Sequence, residues 1–137
     1  MTRVPLVIAL AVLAIGAVLV VRGTGHHTMV DDSLGKLNDD KNFTTSARAG
    51  QTIADISTKL RLAGASCRKR DKASPRCTVV LQASAYSAVT AYTLTDCTAP
   101  GVFDGRKAMR DYLHAVQKYL KSDTKGVAPS VPKVVTC

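Results

Sequence analysis

Four cysteines are the residues of this chain whose chemistry is most readily predicted from their spacing: Cys67, Cys77, Cys97 and Cys137. Zinc sites usually draw their ligands from close pairs of the Cys-x-x-Cys type, whereas nine, nineteen and thirty-nine residues separate these cysteines. An even number of widely spaced cysteines in a small domain indicates disulfides instead. We therefore expect two disulfide bonds at these positions and no metal.

Basic side chains are concentrated between the first two cysteines, where five of them accompany a single acid: Arg68, Lys69, Arg70, Lys72 and Arg76. The whole chain carries a formal net charge of +9. Such a cluster attracts polyanions, including lipid headgroups and anionic polymers of a cell envelope. Because the chain has four Tyr and no Trp, it offers little surface for base stacking, and sequence-specific nucleic-acid binding is not expected. The simpler explanation is that the charge only keeps the domain soluble.

Metal-binding patterns are weak. The chain contains no Glu, which excludes zinc proteases of the HExxH type and the zinc deaminases. His26 and His27 stand close to Asp31 and Asp32, but adjacent histidines in a polar segment are usually solvated rather than bound to a metal. We expect no metal and no cofactor.

Catalytic patterns are equally weak. His114 is expected beside the buried stripe of a helix, as a partly buried surface residue rather than a base. No serine lies in a nucleophile motif, and the chain has no glycine-rich phosphate loop. Asp96, Asp104 and Asp111 would form a carboxylate pair only by an accident of folding. We therefore expect a protein that is not an enzyme.

An uncharged apolar run from Val4 to Val21 precedes all of the cysteines and the basic cluster. As a helix its eighteen residues would be about 27 Å long, close to the hydrocarbon thickness of a bilayer. We predict a single-pass transmembrane anchor over residues 1–23. Oxidised cysteines need an oxidising compartment, so the remaining residues are expected outside the cytoplasm, at the cell membrane.

A cleaved signal peptide, which would release a secreted protein, is the alternative for this apolar run. Signal peptides have an apolar core of about 7–15 residues followed by small residues at the cleavage site. In this chain the run continues to Val21, and Arg22 follows directly. These features favour the uncleaved anchor.

The residues after the anchor divide into a stalk and a domain. Residues 24–44 are rich in Gly, Asp and Asn and predict a polar stalk, and residues 45–137 predict one small helical domain. Apolar residues recur at helical spacing from Thr45 to Ala63, and Gly64 stands where a helix C-cap is expected. The segment from Cys67 to Cys77 has the composition of a loop.

Residues 76–95 contain no Gly, Pro, Asn or Asp, so nothing in them turns the chain. The favoured prediction is a second helix that begins at Ser74-Pro75. Its small alanines would let a neighbouring helix approach closely, and one stripe of it contains Leu81, Ala85, Ala88 and Tyr92. The Val, Thr and Tyr content also suits strands, so an α+β fold with a hairpin over residues 77–96 is the alternative.

A third helix is predicted from Gly105 to Ser122, with Asp104 as its cap. It has the clearest apolar stripe of the chain, formed by Met109, Leu113, Val116 and Leu120. Pro129 and Pro132 predict that the C-terminal tail is extended.

Helix order predicts the disulfide pairing and the position of the basic residues. If the first two helices are antiparallel, Cys67 pairs with Cys77, which leaves Cys97 to pair with the last residue, Cys137. The stalk would then join the domain at the start of the first helix, so the basic loop of residues 68–76 would lie at the pole farthest from the membrane. The end of the third helix would add further charge there, from Lys118, Lys121 and Lys125.

The sequence therefore predicts a mainly α protein, with a transmembrane helix followed by a small three-helix extracytoplasmic domain that two disulfides stabilise and that ends in an extended tail. For function it predicts a non-catalytic interaction module that contacts an envelope or protein partner. The alternative is a binder of anionic envelope polymers or lipid headgroups through the basic loop.

Overall fold

The computed structural model describes residues 28–122 and 126–137, and this part of the chain is mainly helical, with no β-strand. Residues 28–37 form helix α1, which a short 3₁₀ helix at Asp40–Phe43 follows. The longer helices are α2 (Ser46–Arg70), α3 (Pro75–Leu94) and α4 (Ala99–Lys121). The predicted mainly α class is confirmed, and the alternative hairpin over residues 77–96 does not form.

Helix α2 begins where the sequence predicts, because Thr45 caps it. The Thr45 hydroxyl accepts a hydrogen bond from the Arg48 backbone N–H at 3.1 Å, which satisfies one of the free donors of the first turn. Helix α3 begins at Pro75, directly after Ser74, as predicted from the fixed φ of proline.

The predicted end of α2 at Ala63 is wrong, because the helix continues through Gly64 to Arg70. Gly64 does not cap the helix but lies buried against α3. A Cβ atom at this position would be 2.6 Å from Leu81 Cδ2, closer than real atoms approach. The glycine therefore serves the close packing of two helices, a role that the sequence pattern did not distinguish from a C-cap.

The predicted start of α4 is also wrong. The helix begins at Ala99, and Asp104, expected as its cap, lies in its second turn. Pro100 is in the first turn, where its missing N–H costs nothing. Gly105 is again a packing residue, since a Cβ atom there would be 2.7 Å from Leu94 Cδ2.

The described part of the predicted stalk belongs to the folded domain. Val30, Leu34 and Leu37 in α1 are buried and form part of the hydrophobic core. These three residues stand at helical spacing, so the apolar face of a short helix was present in the sequence but was outweighed by its Gly and Asp content. The stalk prediction is corrected for residues 28–37.

The helices run up and down, with each neighbour antiparallel to the last. Along α2 and α3, Gly50 faces Ala91, Ser57 faces Ser84 and Gly64 faces Leu81. The numbers rise on one helix as they fall on the other, which defines an antiparallel pair.

Helix α4 returns along α3, and α1 is antiparallel to α4. Leu94 contacts Gly105 near the end of α3, and Tyr86 packs on Tyr112 further along. The connection to α1 is made by two polar contacts of α4, Gln117 with Asp31 and Arg106 with the Leu37 carbonyl. The first pole of the domain therefore holds residue 28, the end of α2, the start of α3 and the end of α4. The second pole holds the opposite ends.

The buried face of α3 is not the one that the alanine stripe suggested. Ala85, Ala88 and Tyr92 are exposed, and Leu81 is half-buried. The core instead receives Ser84 and Ser87, whose hydroxyls donate to the carbonyls of Ser57 at 2.8 Å and Ala83 at 2.6 Å. Hydroxyls satisfied in this way can be buried at little cost.

The tail of residues 126–137 is without regular secondary structure, as predicted, and Val134 packs on the core. None of the described helices is long and apolar enough to cross a membrane. The predicted anchor over residues 1–23 lies outside the described residues.

Candidate functional site

The candidate anion-binding residues lie at the first pole, but only one of them is in a loop. Arg68, Lys69 and Arg70 form the last turn of α2, and Arg76 is the second residue of α3. The connection between the two helices consists of residues 71–74 alone, and it contains Lys72. The predicted basic loop is therefore corrected to two helix ends joined by a short connection.

Helix α4 brings two more cations to the same pole. Lys118 and Lys121 are exposed in its last turn, as the antiparallel path requires. Lys125 lies outside the described residues. We call the resulting surface the basic pole, defined by Arg68, Lys69, Arg70, Lys72, Arg76, Lys118 and Lys121.

Part of this charge has a local structural role. The carboxyl ends of α2 and α4 carry the negative ends of their helix dipoles, and cations in a last turn stabilise a helix by roughly 0.3–1 kcal/mol each. This argument does not cover Arg76, which lies near the positive end of α3. Favourable interaction with the helix dipoles therefore accounts for the cations at the ends of α2 and α4, and it does not account for Lys72 and Arg76.

The connection at the basic pole is fixed by its own contacts. Asp71, the only acid between the first two cysteines, accepts a hydrogen bond from the Ala73 backbone N–H at 3.1 Å. Cys67 and Cys77 lie at disulfide distance beneath it, with their Cα atoms 5.5 Å apart. These contacts hold the cations of two helix ends in one place.

The other cysteines pair at the second pole. Cys97 and Cys137 lie at disulfide distance with their Cα atoms 5.3 Å apart, so both predicted pairs are present. This pair ties the last residue of the chain to the region between α3 and α4.

The structure does not gather the remaining candidate residues into a site. His114 is exposed rather than partly buried, and Asp96, Asp104 and Asp111 are exposed on different turns of the chain. Asp31 contacts Gln117, and His26 and His27 lie outside the described residues. Within residues 28–122 and 126–137, no cluster of His, Cys and Asp has the geometry to hold a metal ion.

Sequence reasoning missed an apolar groove between α2 and α3. The groove has a volume of about 740 Å³ and is lined by small residues of both helices. Gly50, Ala54 and Thr58 line it from α2, and Ala88 and the 82% exposed Tyr92 from α3. Small residues at every fourth position of α2 were the signal that could have indicated it.

Two buried tyrosines have altered acidity. Burial raises the pKa of Tyr112 to about 12, and the neighbouring Tyr86 adds to the shift. Burial also raises the pKa of Tyr86, against a smaller opposing effect of the Thr90 hydroxyl. In both cases the phenolate would lose solvation inside the domain. These groups lie between α3 and α4, away from the basic pole.

One pair of cations crowds at the side of the domain. Hydrogen bonding with Lys59 is the main cause that lowers the pKa of Lys36, and partial burial and repulsion by Lys59 add to it. Asp55 and Asp32 act in the opposite direction. The shift is explained by this local crowding of α1 against α2 and does not indicate a catalytic amine.

Comparison of the chain with known protein families, with curated proteins and with solved structures gave no match. What the domain does must therefore be inferred from its own residues, and the basic pole is the surface with the most pronounced chemistry.

Proposed function

We propose that the protein is a non-catalytic interaction module, held at a membrane by residues 1–23, with its helical domain outside the cytoplasm. Its binding surface is the basic pole, which binds anionic groups of envelope polymers or lipids. The support for the anchor is the apolar run from Val4 to Val21. The support for the compartment is the presence of two cysteine pairs at disulfide distance.

The observation that carries the proposed binding surface is the convergence of cations from three helix ends. Residues far apart in sequence, such as Lys72 and Lys121, share one pole with the end of α2. Cations fixed on helix ends lose less conformational freedom on binding than cations on a mobile tail. Arginine also bonds phosphate and carboxylate groups through two N–H donors at once.

Charge-removing variants of the full chain test the binding surface. In the variant R68Q/K69Q/K72Q, glutamine keeps most of the helix propensity while the basic pole loses three charges. We expect it to leave a heparin column at lower salt than the unchanged chain. A plot of the logarithm of affinity against the logarithm of salt concentration should become less steep, by roughly one unit of slope for each lost contact.

The matched control removes the same charge elsewhere. In the variant R48Q/K107Q/K133Q, all three side chains are exposed and lie outside the basic pole. The control variant should unfold at the same denaturant concentration as the unchanged chain, since exposed substitutions usually change stability by about 0.5 kcal/mol or less. The basic-pole variant should lose about 1 kcal/mol, because Arg68 and Lys69 no longer stabilise the last turn of α2, and elution is compared under conditions in which both variants are folded. Equal elution of the two variants would mean that only net charge matters, and it would contradict the proposed surface.

The alternative is an interaction module that binds a protein partner, and the salt dependence of binding distinguishes it from a binder of anionic groups. Binding through cations weakens as salt screens them. Co-purification with one protein that persists at high salt, and that the basic-pole variant keeps, would assign the function to a different surface of the domain.

The anchor and the compartment have their own test. The full chain should remain in the membrane fraction, with its domain cleavable by protease added from outside. A soluble mature form that begins near residue 24 would contradict the anchor and favour the secreted alternative.

A further inference from the structure

We infer that the basic pole faces the membrane that carries the anchor, and that its ligands are the phosphate groups of anionic lipids in that membrane. The inference rests on the proposed function and names the ligand of the same surface. It reverses the orientation expected from the sequence, in which the basic residues lay at the pole farthest from the membrane.

The first step is the direction of α1. Asp31 contacts Gln117 near the end of α4, whereas Leu37 contacts Arg106 near its start. Chain direction along α1 is therefore from the first pole to the second. Thr28, the first described residue, lies at the pole that holds the cations.

The second step is the length of chain between α1 and the apolar run. Seven Cα–Cα steps separate Val21 from Thr28. Even a fully extended chain of this length spans at most about 25 Å. Helix α4 has 23 residues and is about 34 Å long, so the second pole lies farther from Thr28 than this segment can reach.

The geometry therefore limits how the domain can sit on its anchor. If residues 4–21 lie in the bilayer, the first pole must stay within about 25 Å of its surface. The domain then cannot stand with its second pole on the membrane and its first pole directly above, because α4 alone is about 34 Å long. A domain held this close by its own chain meets the lipid surface at a high effective concentration, so weak contacts suffice for it to rest there.

The chemistry of the pole agrees with this placement. A Lys or Arg close to an anionic membrane contributes about 1 kcal/mol, and the attraction decays within a Debye length of about 8–10 Å. The seven cations of the basic pole therefore attract anionic lipid only when they lie close to the membrane surface. The segment between Val21 and Thr28 keeps the first pole near the surface and allows these cations to come within that distance.

Energy transfer from single tryptophans tests the orientation, because the chain has no Trp of its own. Ala73 in the connection at the basic pole and Phe103 near the start of α4 are both exposed. The variants A73W and F103W are made in the full chain and reconstituted into vesicles with a dansyl-labelled lipid headgroup. One vesicle type is phosphatidylcholine alone, and the other contains equal parts of phosphatidylcholine and phosphatidylglycerol.

We expect energy transfer from A73W to be several-fold larger than from F103W in the phosphatidylglycerol vesicles. It should fall when salt is added, when phosphatidylglycerol is omitted, and when R68Q/K69Q/K72Q is combined with A73W. The combination of R48Q/K107Q/K133Q with A73W should change nothing, because those cations lie away from the pole.

Two results would overturn the inference. Transfer from F103W that equals or exceeds that from A73W would show that the basic pole points away from the membrane. Transfer from A73W that does not depend on phosphatidylglycerol would show that anionic lipid is not the ligand. The heparin experiment separates this inference from the proposed function. If the unchanged chain binds heparin and R68Q/K69Q/K72Q does not, the basic pole still binds anions, and its ligand is a soluble anionic polymer.

Discussion

The interface of α2 with α3 and the interface of α3 with α4 share one helix but are built from different side chains. Between α2 and α3 the facing residues are small, and two serines bond reciprocally across the interface. Ser57 donates to the Ser84 carbonyl at 2.7 Å, and Ser84 donates to the Ser57 carbonyl at 2.8 Å. Gly50 lies against Ala91 in the same row.

Between α3 and α4 the facing residues are larger. The rings of Tyr86 and Tyr112 meet edge to face with centroids 5.0 Å apart. The hydroxyls of both tyrosines and of Thr90 are buried without a hydrogen-bond partner among the described protein atoms.

The difference shows how side-chain size decides whether buried polar groups can be satisfied. Small residues let two backbones approach, so a serine on one helix reaches a carbonyl of the other. Aromatic rings fill the space between helices and keep their hydroxyls from such carbonyls. We therefore expect the α2–α3 side to depend on its close packing and its bonded hydroxyls, and the α3–α4 side to depend on the packing of its larger side chains.

Removing each disulfide in turn should produce the largest effects. The pair Cys97–Cys137 closes a sequence separation of 40 residues, and Cys67–Cys77 one of 10. Chain entropy predicts losses of about 4 kcal/mol for C97S/C137S and about 3 kcal/mol for C67S/C77S, measured by urea unfolding. The tail should also become sensitive to protease in C97S/C137S. A larger loss in C67S/C77S would contradict the expectation that the longer closed loop gives the greater stabilisation.

Gly50→Ala tests the close packing of α2 on α3. The added Cβ atom would lie 2.9 Å from Thr95 Cγ2 and 3.1 Å from the Ala91 carbonyl oxygen, and a backbone atom cannot easily move away. We expect a loss of about 1–2 kcal/mol, because overpacking outweighs the gain in helix propensity. In the control Gly35→Ala, where nothing lies within 4 Å, we expect a gain of about 0.5–1 kcal/mol. Equal effects of the two variants would mean that α2 and α3 are not closely packed.

Ser84→Ala removes one of the two reciprocal hydrogen bonds and leaves the Ser57 hydroxyl bonded to the residue 84 carbonyl. The expected loss in unfolding free energy is about 1 kcal/mol. Thr58→Ala is the control, because its exposed hydroxyl bonds only within its own helix, to Ala54. If Ser84→Ala is no more destabilising than Thr58→Ala, the serine pair does not stabilise the interface.

Tyr112→Phe should have the smallest effect at neutral pH, with no loss of stability or a gain of up to about 1 kcal/mol, since the hydroxyl has no partner. The pKa of Tyr112 is raised in the folded domain from 10.0 to about 12. Below pH 10 the phenol is neutral in the folded and the unfolded chain, so Tyr112 leaves the free energy of unfolding unchanged. As the pH rises from 10 towards 12, the unfolded chain releases the proton first, and the free energy of unfolding falls.

Unfolding measured across this alkaline range gives the check. Stability of the unchanged chain should decline more steeply with pH than that of Tyr112→Phe. Part of the decline should remain in the variant, because burial also raises the pKa of Tyr86. A decline that is identical in the two chains would show that Tyr112 is not shielded from solvent.

Local signals predicted the parts of this domain that depend on short stretches of chain. The starts of α2 and α3, the helical stripe of α4 and both cysteine pairs are present as expected. The errors arose where one residue type serves two purposes. Gly64 and Gly105 permit close packing rather than ending or opening a helix, because Leu81 and Leu94 occupy the space of the missing side chain.

The sequence alone also determined five of the seven cations of the basic pole, because these five lie close together in the chain, between the first two cysteines. Only the tertiary structure decided which cations join it and that Thr28 lies at the same pole. The decisive element is α1, whose Val30, Leu34 and Leu37 are buried against the other helices. Because those three side chains are buried, residues 28–37 pack on the domain as one additional antiparallel helix. The first described residue, Thr28, therefore lies at the first pole and not at the second pole, where α2 begins. A three-residue apolar face within a polar segment is too weak a local signal to predict this helix, because its stability comes from packing against residues distant in sequence.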